Sequence, residues 1–242
     1  MKKQHISRYL RQTMIEGFDQ SKLSDARVLV CGIGGLGSAV TFYLAAAGVG
    51  EIIMVDRDKV EETDLNRQIL HFTHDIGRYK VVSAYDKLRE FNPEIKLNPI
   101  PANLNESLLR SLPHPDVIVD ALDNLSTRFI LNEFAVNNNI PLVHAAVEGF
   151  EGRITTILPH RTACLACIYQ GVPSPRTFPI VGVTAGLLGV IEATEVIKLL
   201  THMGQLLLNK LLFIDLQSWD FDIINIEADP SCAVCGANGR KR

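Results

Sequence analysis

The stretch Arg27-Val-Leu-Val-Cys-Gly-Ile-Gly-Gly-Leu-Gly37 decides the fold. Residues 28–31 are apolar after a charged residue and read as a short buried strand. Gly32, Gly34 and Gly37 then spell G-x-G-x-x-G, with Gly35 inside it, and residues 38–47 form an apolar, alanine-rich run of helical length. Strand, glycine turn and helix together are the setting in which this motif binds phosphate. Glycine permits the tight turn and a close approach to the backbone, and the helix N-terminus offers free N–H groups and positive potential. A second apolar run, residues 52–55, leads into Asp56. Its offset from Gly37 is the one at which a carboxylate reaches a ribose hydroxyl. The motif leaves NAD, FAD and ATP open. The bland alternative, a glycine turn with no ligand, has four concordant features against it.

The alternation continues outward from this unit. Residues 6–15, 77–91, 105–112 and 126–137 read as helices, and residues 94–99, 116–120 and 141–147 as strands. Repeated strand–helix alternation predicts an α/β fold with a doubly wound, mainly parallel, Rossmann-like sheet. The pattern changes after Glu148. Residues 152–158 read as a strand and 183–200 as one buried helix, in which Gly186 and Gly189 suggest close packing. Residues 211–215 and 221–227 read as successive strands, which pair antiparallel when no helix intervenes. With no Gly/Ser/Pro-rich linker and no internal repeat, the chain reads as one domain over 1–242. Its nucleotide-binding part covers about 20–150 and its C-terminal part about 151–242.

The 242 residues are 47% hydrophobic and 21% charged, a soluble globular composition. A formal charge of −3 argues against a nucleic-acid partner, and Arg240-Lys241-Arg242 reads as a solvated tail. The opening segment, Met1 to Gln12, is polar and basic, without the apolar core of a signal peptide. The longest greasy run, from Thr177 to Ile191, is short for a membrane span. These features predict a cytoplasmic protein without a membrane partner. Five cysteines in such a compartment argue for metal binding or catalysis rather than disulfides.

Cys164-Leu-Ala-Cys167 and Cys232-Ala-Val-Cys235 are two C-x-x-C pairs far apart in the chain. Each spacing lets two thiolates grip one ion, and two pairs make a closed tetrahedral set, the donor set of a structural zinc ion. Such an ion would tie the chain's end to its middle. A redox motif needs only one pair, and neither pair is expected to open a helix after a strand. Cys31, at the end of the first strand, reads as a small buried apolar residue.

A second constellation joins Asp64-Leu-Asn66-Arg67-Gln68, Lys80 and the strand-end segment Asp123-Asn124-Leu-Ser-Thr-Arg128. Asp123 follows a predicted parallel strand, where doubly wound folds place ligands. A carboxylate there can hold magnesium against a phosphate, and Arg67 and Lys80 can neutralise charge building on phosphate oxygens. Singly, each is an ordinary surface charge. Their joint pattern carries the weight.

Arg8-Tyr-Leu-Arg-Gln12, the residues 32–37 loop, Asp56-x-Asp58, Leu65-Asn-Arg-Gln68, Gly77-Arg-Tyr-Lys80, Asp123-Asn124 and the paired C-x-x-C resemble the MoeB/ThiF/HesA family, bacterial relatives of the ubiquitin-activating enzymes. The resemblance runs from Arg8 to Cys235. It implies ATP with Mg2+ rather than NAD, a structural Zn2+, and adenylation of the C-terminal carboxylate of a small ubiquitin-like sulfur-carrier protein of MoaD or ThiS type ending in Gly-Gly. It assigns Asp56 to the ribose, the glycine loop to the phosphates, Arg67 and Lys80 to phosphate charge and Asp123 to magnesium. Gly35, Asp58, Asn66, Gln68 and Asn124 belong to the same nucleotide motifs. Arg11 matches an arginine that reaches into a neighbouring subunit, so a homodimer is implied.

Two departures stand out. Asp64 occupies a position where the family usually has Asn, and a carboxylate cannot donate a hydrogen bond as an amide can. The loop of residues 168–179 contains no cysteine, whereas members that link covalently to the carrier carry one there; Pro175 stands near that place. Competing readings are an NAD-dependent oxidoreductase, a non-catalytic nucleotide- or carrier-binding scaffold, and a tRNA-modifying relative that activates a small carboxylate. The oxidoreductase leaves Arg11, Arg67 and the cysteine pairs without a role, and the scaffold leaves Arg67, Lys80 and Asp123 unexplained together.

Overall fold

The computed structural model describes residues 6–172 and 178–236. Its strands are β1 (Arg27–Cys31), β2 (Glu51–Val55), β3 (Lys96–Ile100), β4 (Val117–Asp120), β5 (Leu142–Glu148), β6 (Glu151–Ile157), β7 (Lys210–Asp215) and β8 (Asp220–Asn225). They form one sheet in the order β3-β2-β1-β4-β5-β6-β7-β8. From β3 to β5 every pairing is parallel, and from β5 to β8 every pairing is antiparallel. The expected doubly wound core and antiparallel C-terminal strands are both present.

The helices are α1 (Ile6–Thr13), α2 (Gln20–Ser24), α3 (Gly35–Ala47), α4 (Lys80–Phe91), α5 (Glu106–Ser111), α6 (Leu125–Asn137), α7 (Leu165–Tyr169) and α8 (Gly182–Thr201). Side chains alternate across a strand, and the central strands are buried along their length, so both faces of the sheet are covered. Val28, Val30, Ile52, Met54 and Val119 pack with α3, α4 and α8 on one face. Leu29, Cys31, Ile53, Val55 and Ile118 pack with α5, α6 and α7 on the other. From β1 the chain runs to β2 on one side, while β4 lies on the other. The loops after β1 and β4 therefore flank the crevice where such sheets bind ligands.

Several local expectations are corrected. The run beginning at Gly77 is not helical from its start: Gly77 has φ +88, and the helix begins at Lys80. Lys59 and Tyr79 form an antiparallel bridge here, and the Lys80 N–H donates to the Asp58 carbonyl at 2.9 Å. Of Gly186 and Gly189, the pair expected to mark close packing, Gly189 does so, since a Cβ there would sit 2.5 Å from the Leu36 carbonyl oxygen of α3. At Gly186 a Cβ would meet open space. Cys164 caps α7, so the first C-x-x-C does open a helix, although one of only 5 residues. Among the described residues no helix is long and apolar enough to cross a membrane.

Candidate active site

The crevice is a cleft of about 990 Å³, at the upper end of the range of small-molecule sites, about 300–1,000 Å³. Gly32, Gly34, Gly35, Asp56, Asp58, Arg67, Gln68, Lys80, Asp123 and Asn124 all line it. Residues expected from five separate stretches of the chain thus meet in one place.

The glycines have distinct reasons. Gly32 has φ +90, and a Cβ on it would lie 2.5 Å from the Ala121 carbonyl oxygen, so only glycine lets the loops after β1 and β4 meet. Gly37 lies inside α3, away from the cleft lining; a Cβ there would collide with the Gly32 carbonyl oxygen at 1.9 Å. It serves helix-on-turn packing. The first bond of α3 runs from the Ser38 N–H to the Gly34 carbonyl at 2.8 Å, which leaves the preceding amides as free N-terminal donors.

Asp56 ends β2 and accepts hydrogen bonds from the Ile33 N–H at 2.7 Å and the Asp58 N–H at 2.8 Å. Burial raises its carboxyl above the usual range, opposed by those two backbone donors and by Lys80. The carboxylate ties the glycine loop to the strand end as well as facing the cleft.

Asp64 is the departure that the geometry explains. It ends a 3-10 turn, Glu62–Asp64, and is buried. Its Oδ1 accepts from Gln68 Nε2 at 2.7 Å and lies 3.3 Å from Arg67 Nη2, while its Oδ2 lies 3.2 Å from Lys80 Nζ. A carboxylate here gathers the two cations and the amide; it does not line the cleft itself. Neutral asparagine at this position would leave Arg67 and Lys80 to repel each other with less compensation. Arg67 Nη1 also donates to the Thr63 carbonyl and to Asn66 Oδ1, both at 2.8 Å. Asn66 is exposed and outside the lining; it steadies Arg67.

Asp123 is exposed in the cleft, and its carboxylate accepts from the Asn124 amide at 3.2 Å. Asn124 caps α6, accepting from the Thr127 N–H at 2.9 Å. Arg11 is not brought to the cleft. Tyr9 and Gln12 tie α1 to the end of α3 through Asn92 and the Ala47 carbonyl, which leaves Arg11 exposed and without a polar partner among the described residues.

Arg128, which closes the strand-end segment of the second constellation, also lines the cleft; sequence reading missed Arg57, Asn103, Arg153 and Tyr169 there. Arg128 is buried; it donates to the Leu122 carbonyl and, at 2.9 Å, to the Ala145 carbonyl, holding the loop that carries Asp123. Beneath it, His144 on β5 donates from Nδ1 to Asp120 at 2.7 Å and accepts at Nε2 from the Tyr169 hydroxyl at 2.9 Å. Burial keeps His144 below its ordinary value and Tyr169 above its own, so this polarity is fixed. Burial works against the Asp120 charge, and Arg128 and His144 nonetheless hold its carboxyl low.

Tyr169 ends the short helix that carries Cys167. The four sulfurs of Cys164, Cys167, Cys232 and Cys235 lie within 4.8 Å of one another. Sulfur separations of 3.8 Å (Cys164–Cys232) and 3.4 Å (Cys167–Cys235) are close to the ~3.8 Å edge of a tetrahedron with Zn–S bonds of about 2.3 Å. All four are free thiols. Burial and neighbouring sulfurs push Cys164 and Cys235 up, a cost that a cation replacing their protons would remove. The convergence of both pairs fits one zinc ion and sets aside the redox reading despite the helix at Cys164. Cys31 is fully buried, and burial with Asp120 and Asp56 nearby pushes its thiol well up.

The ThiF family model matches residues 7–234. SAMP-activating enzyme E1 of Haloferax volcanii is 38% identical over 97% of this chain and 90% of its own. Molybdopterin-synthase adenylyltransferase of Salmonella typhimurium is 38% identical over 96% of this chain and 97% of its own. Among solved structures, E. coli MccB with ATP superposes with a TM-score of 0.80 at 29% identity, covering 90% of this chain and 68% of that one. Motifs, sheet order, cleft and kinship agree, and the chain belongs to the ThiF family.

Proposed function

We propose that this protein is an adenylyltransferase that uses ATP and Mg2+ to activate the C-terminal glycine carboxylate of a small ubiquitin-like sulfur-carrier protein. One observation carries the reading: Arg67 and Lys80 meet on the single carboxylate of Asp64 beside the glycine loop, in a cleft that Asp123 also lines. Two cations held together at a helix N-terminus suit a polyphosphate whose charge rises during reaction. In a nicotinamide enzyme the pyrophosphate takes no part in hydride transfer, so its charge does not rise and calls for no such clustering. The names of the Haloferax and Salmonella relatives support the same activity.

In this reading the phosphates lie along the free amides at the start of α3, and Asp56 and Asp58 face the ribose. The carrier carboxylate attacks the α-phosphorus; a phosphorus–oxygen bond forms to the carboxyl oxygen, and the bond to the pyrophosphate oxygen breaks. Arg67 and Lys80 neutralise the growing charge, and positioning does most of the work. The exposed Asp123 carboxylate has lone pairs free to hold magnesium, which would supply further charge neutralisation across the phosphates. One zinc ion on the four cysteines would tie the chain's end to α7. The single sheet running through both parts supports one adenylation domain over the whole chain, and free thiols suit a reducing cytoplasm. Arg11, exposed on α1 next to exposed Leu10 and Met14, supports a homodimer in which it reaches a second copy's site.

The reaction should stop at the acyl-adenylate. A covalent link needs an exposed thiolate, four cysteines converge on one another, and Cys31 is buried. Ser174, Pro175 and Thr177 lie outside the described residues. Incubation with ATP and a MoaD- or ThiS-type carrier, followed by intact mass spectrometry, should show carrier bearing one adenylyl group and no enzyme–carrier adduct. A reductant-labile adduct that disappears in Cys31→Ala would make Cys31 catalytic and overturn this.

A further inference from the structure

We propose that His71 is a positioning residue that aims the Gly34 N–H of the glycine loop at the nucleotide phosphates. The proposal rests on the nucleotide reading above and adds a residue to it. His71 is buried, does not line the cleft and belongs to no motif singled out in the sequence. Its Nε2 lies 2.9 Å from the Ile33 carbonyl oxygen, and its Nδ1 lies 2.9 Å from Ser83 Oγ.

The direction of each bond follows from the donors and acceptors around it. Asp75, wholly buried, binds the Lys87 ammonium, and its carboxyl is held at about 2, burial opposing and Lys87 favouring the charged form. Lys87 Nζ in turn donates to Ser83 Oγ at 2.9 Å. An ammonium can only donate, so Ser83 Oγ accepts from Lys87, and its own proton has two acceptors in reach, the Asp75 carboxylate and His71 Nδ1. The Ile33 carbonyl can only accept, which calls for a proton on His71 Nε2 and leaves Nδ1 of the neutral ring to accept from Ser83. Burial, with Lys80 and Lys87 nearby, keeps the imidazole below its ordinary value and therefore neutral.

The peptide between Ile33 and Gly34 is planar and trans, so its C=O and N–H point in opposite directions. Holding the Ile33 oxygen on buried His71 turns the Gly34 N–H away from it, on a residue that lines the cleft. Asp56 holds the preceding peptide through the Ile33 N–H at 2.7 Å. The two peptides flanking Ile33 are thus each clamped by one side chain. Without His71 the Ile33–Gly34 plane is free to rotate, and glycine at the next position offers little resistance.

The test measures binding of Mg-ATP and of adenosine to the full chain by calorimetry, in the parent, His71→Leu, His71→Asn and His71→Gln. Glutamine places a neutral N–H near the Nε2 position, whereas asparagine is too short to reach Ile33. ATP affinity should fall about 10-fold or more in His71→Leu and His71→Asn, as expected for losing a hydrogen bond to a charged group. It should return to within about 3-fold of the parent in His71→Gln, with adenosine affinity unchanged throughout. If His71→Leu does not fold, the Asn and Gln pair decides. Parent-like ATP affinity in His71→Asn, equal loss for ATP and adenosine, or no rescue by Gln overturns the clamp. Pyrophosphate exchange measured on the same parent preparation separates the two claims. A parent that binds ATP, with the clamp pattern intact but no carrier-dependent exchange, leaves the clamp standing and removes the adenylyltransferase reading. A parent that does not bind ATP removes both.

Discussion

Arg67→Ala and Asp123→Ala should each slow carrier-dependent ATP–pyrophosphate exchange by about 10²–10³-fold while the protein stays folded. The magnitude is that of removing one group whose interaction strengthens as charge develops in the transition state. Stability should change little, for reasons visible in the site. Asp123 is exposed and its described partner is the neighbouring Asn124 amide. Removing Arg67 leaves the buried Asp64 carboxylate still paired with Lys80 and bonded to Gln68. Circular dichroism and melting temperature beside the exchange rate check both halves. Parent rates in both variants would show that the cleft has been assigned wrongly.

Loss of the cysteine cluster should act in the opposite way, on stability before chemistry. Purified, reduced protein should contain one zinc ion per chain, and Cys164→Ser should lower both zinc content and melting temperature. A structural zinc site contributes on the order of 10 kcal/mol in apparent binding free energy, comparable with the net stability of a whole domain. The cluster joins α7 to the chain's end, and Tyr169 at the end of α7 lines the cleft and bonds to His144. Activity should therefore fall through a loosened cleft wall. Metal analysis of freshly prepared protein tests this, and a zinc-free chain with an unchanged melting temperature in Cys164→Ser would refute the site.

The parts of the site that were legible in the sequence are those that local chain chemistry determines. A strand, a glycine turn and a helix are contiguous between Arg27 and Ala47, and Asp56 follows one strand later, so spacing alone identifies them. The paired cysteines announce themselves by spacing too, because a metal needs their thiolates at fixed separations. Arg57, Asn103, Arg153 and Tyr169 were hidden for the converse reason. They come from four separate stretches of chain, and only the sheet order brings them together. His71 and Ser83 were invisible because a polar residue's burial is a tertiary fact. Gly77 misled because glycine beside a helix-forming run fits either the helix or the left-handed turn before it, and φ +88 decides for the turn. Asp64 read as a loss of a donor, since the motif alone does not reveal that its partners are two cations and an amide.

The most direct measurement is ATP–pyrophosphate exchange by the unmodified chain with MoaD- and ThiS-type carriers, each supplied intact or lacking its C-terminal Gly-Gly. Exchange should appear only with ATP, magnesium and an intact carrier, and removing the two glycines should abolish it. Exchange that ignores the Gly-Gly terminus, or tight NAD binding with no ATP binding, would contradict the assignment.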